Sequence, residues 1–412
     1  MPPPAHIPPA SLSERLLAPF RRVTSSGGFI SEIDGLRFIA IGAVVLFHLL
    51  VNLALKGPLA YAMPASGNIL TLVGRNGFRG VELFFIISGF ILASPFASAR
   101  LLGKAPVNLG SYFLRRLTRL EPPYMLAMMG LYLLRASAGS AGALLPHLAA
   151  SLVYCHNLIF HADNPINNVA WSLEIEVQFY ILVPLLAGIF NVRSRLVRRG
   201  IIVGVILASV VNEWIFITPE SLLYLSIVRF LHFFLAGFLL ADLYLVDWRG
   251  RPALSPAWDA VTLLGWPVLV LLLDIPGPSL LSHAAAAAFP FLALLLYVAV
   301  FRGSVTNRIM TNPWITTIGG MCYTIYLIHN PLLGALIGLS ARIAPTGSYT
   351  VNVLAQGLMT VVPMLCVAAV YFALIERPCM RRDWPQRALR WVRGIVARPV
   401  LQEVKSPMSD QV

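Results

Sequence analysis

Long apolar runs almost free of charge recur through this chain and limit what it can fold into more than any other feature. Runs near the length needed to cross about 30 Å of hydrocarbon lie near 35–55, 78–98, 122–136, 171–190, 200–217, 222–246, 257–274, 281–301, 314–340 and 350–375. The third is short. These runs predict an all-α bundle of about ten transmembrane helices. Between the third and fourth runs, LLPHLAASLVYCHNLIF (144–160) is apolar but too short and interrupted to span, and reads as a re-entrant or interfacial segment. Composition agrees. Hydrophobic residues make up 58% of the 412 and charged residues 12%, against about 25% charged in a soluble domain, which excludes an ordinary water-soluble enzyme.

The net charge of +13, from 31 Lys and Arg against 18 Asp and Glu, would suggest a polyanion partner in a soluble protein. Here it follows topology, because basic residues collect in cytoplasmic loops, and no nucleic acid partner is expected. With the N-terminus inside, the inner loops 99–121, 191–199, 247–256 and 302–313 hold Arg100, Lys104, Arg115, Arg116, Arg119, the run RSRLVRR, Arg249, Arg251, Arg302 and Arg308. The opposite loops hold Lys56, Arg75, Arg79 and Arg342 as their obvious positives. Both termini are therefore expected in the cytoplasm, with a Pro-rich segment over 1–30, a membrane unit over 31–380 and a basic tail over 381–412. The N-terminal segment lacks an apolar core followed by a small-residue cleavage site, so no cleaved signal peptide is expected. Cys155, Cys322, Cys366 and Cys379 are scattered and form no ligand or disulfide framework, so no metal is expected. Ten spans can bury their own polar faces, and no oligomeric state is implied.

Charged groups inside apolar helices are costly and usually face a cavity, a partner or a substrate path. In EIDGLRFIAIGAVVLFHLLVN, Arg37 and His48 stand eleven positions apart, which on a helix is about 20° in direction and about 16 Å in rise. They share a face, with Arg37 near the cytoplasmic interface and His48 near or beyond the midplane. One reading has Arg37 snorkelling and His48 bonded to a neighbouring helix; the other makes His48 a general base in a closed site. FRGVELFFIISGF places Arg79 and Glu82 three residues apart, which suits a simple helix ion pair. Arg116 and Arg119, in RRLTRLEPPY, share a face before Pro122 and Pro123; they suit positive-inside anchoring, and equally suit phosphate oxygens. Of Glu174 and Glu176 in WSLEIEVQFYILVP, two apart, one should face the bundle interior. VRFLHFFLAGF adds Arg229 and His232, and CYTIYLIHNP adds Tyr323, Tyr326 and His329. Ser88 and Ser172 read as helix-packing residues.

These segments, in this order over roughly 31–380, resemble the membrane acyltransferase 3 family, whose members move acyl groups onto hydroxyls of extracytoplasmic glycans or small molecules. The resemblance rests on DGLRFIAIGAVVLFH, FRGVELFFIISGF, RRLTRLEPPY and WSLEIEVQFYILVP, with weaker support from CYTIYLIHNP and the closing IERP. It implies a multi-pass protein of the cytoplasmic membrane, an acyl-CoA co-substrate with acetyl as first choice of acyl group and succinyl or longer chains as alternatives, and a surface polysaccharide as first choice of acceptor; peptidoglycan or a macrolide-like molecule are alternatives. No bound cofactor is implied. Residue by residue, His48 and Arg37 match the first-helix motif with His48 as base, Arg116 and Arg119 match the paired arginines that would grip the donor, and Glu176 matches the acidic residue five positions after the tryptophan. Glu82 stands where the family often has Asp. Glu82, Arg79, Tyr323, Tyr326 and His329 are left as acceptor-binding or supporting candidates. The family's appended hydrolase-like domain has no counterpart in these residues.

Rival readings make different predictions. A secondary transporter would move substrate without acyl transfer, a lipid-linked sugar transferase would need a polyprenyl donor, and a scaffold would tolerate replacement of His48 and Arg37. No P-loop, dinucleotide fingerprint, G-x-S-x-G elbow or HExxH occurs.

Overall fold

The computed structural model describes residues 12–23, 29–57, 61, 64, 68–275, 277, 279–340, 343, 346–381, 383–387 and 390. Most of the expected N-terminal segment and basic tail, together with Arg342, lie outside the described residues. Among the described residues all regular structure is helical. The main elements are α1 (Ser31–Lys56), α2 (Gly80–Leu101), α3 (Leu109–Arg135), α4 (Ala141–Leu152), α5 (Trp171–Leu186) and α6 (Arg195–Phe216). They are followed by α7 (Ile227–Asp242), α8 (Ala257–Leu273), α9 (Leu280–Arg302), α10 (Pro313–Gly320), α11 (Cys322–Ser340) and α12 (Tyr349–Tyr371).

Eight of the described helices are long and apolar enough to cross a membrane, against the ten runs read from the sequence. The two differences have physical causes. The run at 122–136 is only the second half of α3, whose first half carries Arg115, Arg116, Arg119 and Glu121. The helix continues through Pro122 and Pro123, so the expected cytoplasmic loop 99–121 is helical from Leu109 onward. The run at 257–274 folds as α8, 17 residues long and so about 25 Å, shorter than a typical hydrocarbon core. The segment 144–160 forms the end of α4 and a short helix, His156–Phe160.

The run at 314–340 is also divided. Gly319 and Gly320 end α10, and the chain restarts as α11 at Cys322. A Cβ on Gly319 would lie 1.8 Å from the backbone oxygen of Asp34, so this break lets α10 press against the start of α1. A second close approach holds α2 to α7. A Cβ on Gly89 would lie 2.1 Å from the Phe234 carbonyl oxygen, and one on Gly237 2.2 Å from that of Ile86. The glycine of FFIISGF thus serves a backbone-to-backbone crossing of the small-residue kind. Around it Phe179 stacks on Phe234 at 3.9 Å and Phe85 on Phe234 at 4.6 Å.

Part of the RSRLVRR run is structural. Arg198, 1% exposed, pairs with the fully buried Asp242 of α7. Arg199 bonds the same carboxylate at 2.7 Å and Asp247 at 2.9 Å. A buried carboxylate shared by two guanidiniums is compensated, and it joins α6 to α7.

Candidate active site

The first turn of α1 sets the site. Asp34, 1% exposed, accepts from Arg37 Nη1 at 2.6 Å and from Arg22 Nη1 at 3.2 Å. This three-residue spacing orients the Arg37 guanidinium along α1. Arg37 lines a cavity of about 300 Å³ bounded by α1, α2, α3, α5 and α11. From α3 come Arg115 and Arg116 in one turn and Arg119 in the next, on the helix that continues through Pro122 and Pro123. The Arg116 guanidinium lies 3.8 Å from the centre of the Tyr112 ring and 5.4 Å from that of Tyr180, and its Nη1 donates to Tyr112 O at 3.0 Å. Cation–π contact with both rings and the bond to Tyr112 O hold the guanidinium in place, a set of contacts that suits arginine better than lysine. Arg119 Nε is buried without a partner among the described residues.

Two carboxylates face these four arginines. Glu176 accepts from Ser88 Oγ at 2.6 Å. Glu376, fully buried, accepts from Thr324 N at 3.1 Å and Thr324 Oγ1 at 2.5 Å through one oxygen, while Oε1 has no partner among the described residues. Even with Arg37 paired to Asp34, four guanidiniums against Glu176, Glu376 and Asp34 leave the lining cationic, which favours an anionic group such as a phosphate. Glu174, two positions before Glu176, turns away and accepts from Asn157 N at 2.7 Å.

Tyr323 and Tyr326 also line the cavity. Tyr323 donates to Leu120 O at 2.9 Å, joining α11 to α3. Tyr326 OH lies 3.1 Å from Val169 O and 2.6 Å from Ser172 Oγ. Its ring centre is 5.7 Å from that of His329, so Tyr326 stands between the cavity and a pair of histidines.

That pair is His48 and His329. His329 Nδ1 lies 2.9 Å from Tyr326 O and 3.1 Å from Ile325 O. Both neighbours are carbonyls, so in the neutral ring Nδ1 carries the proton and Nε2 is an acceptor. His329 Nε2 faces His48 Nδ1 at 3.1 Å, and the same His48 nitrogen faces Val44 O at 3.0 Å. With acceptors on both sides, His48 Nδ1 carries its proton, and the lone pair of the half-buried His48 ring is placed on Nε2. The hydrogen-bond network thus assigns one tautomer to both rings.

Of the residues singled out in the sequence, Arg37, Arg116, Arg119, Glu176, Tyr323 and Tyr326 converge on one cavity, and His48 and His329 meet beside it. Arg79 and Glu82 stand elsewhere. They pair with each other at 3.2 Å, and Arg79 lies 5.5 Å from the Phe289 ring at the wall of a separate, apolar cavity. Arg229 and His232 form another group around Glu213, with Arg229 Nε 2.9 Å from its carboxylate. Outside the long apolar spans, His156 lies 2.9 Å from His147, and burial together with that neighbour pushes His156 down to about 4.

Sequence reasoning passed over Asp34 and the partnering of Ser88 and Ser172, and treated IERP only as a closing motif. The sequence did carry one signal: Asp34 precedes Arg37 by three residues. Ser88 and Glu376 find their partners across helices, which no local spacing encodes.

Fold and cavity define a multi-pass membrane protein with a cationic pocket inside its helix bundle. Comparison with known proteins gives the family: the acyltransferase domain of the acyltransferase 3 family matches residues 30–375, and the chain belongs to it. The chain is 24% identical over 399 residues to the O-acetyltransferase OatA of Staphylococcus aureus (strain NCTC 8325 / PS 47), covering 90% of this chain and 61% of that protein. It is 24% identical over 400 residues to the peptidoglycan O-acetyltransferase OatA of Listeria monocytogenes, covering 88% of this chain and 58% of that one. The chain therefore spans about three fifths of the length of these curated relatives. No solved structure matches significantly.

Proposed function

We propose that this chain is an integral membrane O-acyltransferase that takes an acyl group, acetyl in the first instance, from a cytoplasmic acyl-CoA. The acceptor is a hydroxyl of an extracytoplasmic polysaccharide, with peptidoglycan favoured by the name of the Listeria relative. The membrane is the cytoplasmic one, with both termini inside. The observation that carries this reading is the His48–His329 pair lying one residue layer beyond a cavity lined by four arginines.

In this reading Arg116, Arg119 and Arg115 hold donor phosphates, Arg37 is kept in place by Asp34, and the thioester arm runs inward past Tyr326. His48 Nε2 takes the proton of the acceptor hydroxyl as that oxygen attacks the thioester carbonyl. The C–S bond then breaks, and the leaving thiolate takes a proton from the His48 imidazolium, which restores the base. While His48 is protonated, its Nδ1–H donates to the neutral His329 Nε2, a charge-assisted bond stronger than the resting one. In a covalent variant His48 Nε2 attacks the thioester carbonyl, the C–S bond breaks and the leaving thiolate takes the Nδ1 proton of the acyl-imidazolium; the acceptor hydroxyl then attacks the acyl carbon, the C–Nε2 bond breaks and the hydroxyl proton returns to the imidazole.

The test is a sealed proteoliposome with radiolabelled acetyl-CoA on one face and glycan fragments on the other. Labelled ester on the glycan with wild-type protein, and none with His48→Ala at equal protein level, is the expected result. Label that crosses the membrane as acetyl-CoA, without ester formation, would replace the transferase reading with a transporter. A rapid quench of the same reaction separates the two routes, since only the covalent one gives a labelled protein.

A further inference from the structure

Three asparagines continue the histidine pair away from the arginine cavity. Asn52 lies one turn beyond His48 on α1 and donates to His48 O at 2.8 Å. Asn330 follows His329 on α11 and accepts from Asn52 Nδ2 at 2.9 Å. Asn330 Nδ2 in turn donates to Asn168 Oδ1 at 2.6 Å. Exposure rises along this ladder: Asn52 is buried, Asn330 half-buried and Asn168 exposed. Its direction is set by α1, since Asn52 lies fifteen residues beyond Arg37, about 22 Å along the helix.

We propose that this amide ladder is the acceptor subsite, binding hydroxyls of a carbohydrate so that a neighbouring hydroxyl reaches His48 Nε2. The proposal rests on the transferase reading above and adds the place and chemistry of acceptor recognition. Hydrogen-bonding capacity supplies the argument. A primary amide has two N–H donors and one oxygen with two lone pairs. After the bonds named, Asn168 keeps both N–H groups, Asn330 keeps one, and Asn52 keeps its Oδ1. That leaves donors and an acceptor in a row without a formal charge, which complements adjacent sugar hydroxyls, each of which donates and accepts.

The neighbouring Asn164 shows what a purely structural role looks like in the same segment. Asn164 is buried, accepts from Ile166 N at 2.9 Å and Asn167 N at 3.2 Å, and donates to Ser151 Oγ at 2.6 Å. Asn167, 1% exposed, donates to Leu327 O at 2.9 Å, two residues before His329, while its buried Oδ1 has no partner among the described residues. These two fasten the segment 164–168 to α4 and α11. Asn168 is carried on that fastened segment with its NH2 group left over and exposed. Such a subsite is formed before the acceptor arrives, so less ordering opposes binding.

The decisive variant is Asn168→Asp. Its carboxylate still accepts from Asn330 Nδ2, so the ladder stays closed, while both surplus donors are gone. The assay uses the full-length protein in lipid nanodiscs, radiolabelled acetyl-CoA and soluble peptidoglycan glycan-chain fragments as the acceptor probe. Asn168→Asp, Asn168→Ala and Asn330→Ala are expected to raise KM for the fragments by about three- to tenfold for each bond lost. KM for acetyl-CoA is expected to stay within about twofold, since the donor cavity is separate; the melting temperature of Asn168→Asp is expected to match wild type. Unshifted acceptor KM in Asn168→Asp, or equal shifts for donor and acceptor, would overturn the subsite while leaving the transferase reading in place. Absence of ester on the fragments with wild-type protein would overturn the glycan reading and the subsite with it.

Discussion

The role assigned to His329 can be isolated by replacing it with Phe. The ring is fully buried and bonded through both nitrogens, and phenylalanine keeps the ring shape while removing the nitrogen that accepts from His48 Nδ1. In the resting state that 3.1 Å contact is neutral and shares its proton with Val44 O, so its loss costs about 1 kcal/mol or less. In the proposed transfer His48 becomes cationic and the same contact becomes charge-assisted, worth about 1.5–3 kcal/mol. The difference, about 0.5–2 kcal/mol, appears only in the transition state, which corresponds to a fall in kcat of about 2- to 30-fold with KM for both substrates nearly unchanged. The assay is acetyl transfer to glycan fragments at matched protein level, with His329→Gln as the partner variant, since an amide oxygen can accept the same proton and should recover part of kcat. Wild-type kcat in His329→Phe would refute the reasoning. So would a loss seen mainly in KM, since the histidine would then act by shaping the pocket.

Other consequences follow from single contacts. Arg116→Lys loses the guanidinium contacts to the Tyr112 and Tyr180 rings and, with Arg116 in its proposed donor role, should raise KM for acyl-CoA about tenfold with kcat nearly intact, as read by donor titration. Ser88→Ala removes the 2.6 Å bond to Glu176; a loss of activity of about three- to tenfold at unchanged melting temperature is expected. Gly237→Ala places a methyl 2.2 Å from the Ile86 carbonyl oxygen, and because both sides are backbone the crossing must open, lowering stability by about 1–3 kcal/mol in a detergent melt. Asp242→Asn leaves buried Arg198 without its counter-charge and should destabilise by about 3–5 kcal/mol, with loss of expression at the membrane as the practical readout.

The helical class and most element positions were legible because a spanning helix needs only a long apolar run, which is a local property of the sequence. The places where the reading and the fold differ are set by particular residues. Arg115 through Glu121 hide a helix that continues into the 122–136 run. The break at Gly319–Gly320 answers to the approach of Asp34 on another helix, and nothing within 314–340 reveals that neighbour. The site divides the same way. Periodicity showed that Arg37 and His48 share a face of α1, and both meet α11 there, Arg37 beside the cavity wall that holds Cys322 and His48 against His329. Which histidine, serine or carboxylate waits on the opposite helix depends on tertiary packing. Thus Glu82 and Glu176 both stand out in the sequence as carboxylates in apolar helices, whereas the fold places Glu176 on Ser88 beside the cavity and Glu82 on Arg79 away from it.

The central claim is that His48 makes this protein a transferase to an extracytoplasmic hydroxyl. Its most direct test is the alkali-labile acyl content of cell-envelope glycans, by mass spectrometry, in a deletion strain carrying either wild type or His48→Ala at equal protein level. The account predicts one ester-linked acyl mass, lost in the deletion, restored by wild type and not by His48→Ala. Full restoration by His48→Ala would contradict it.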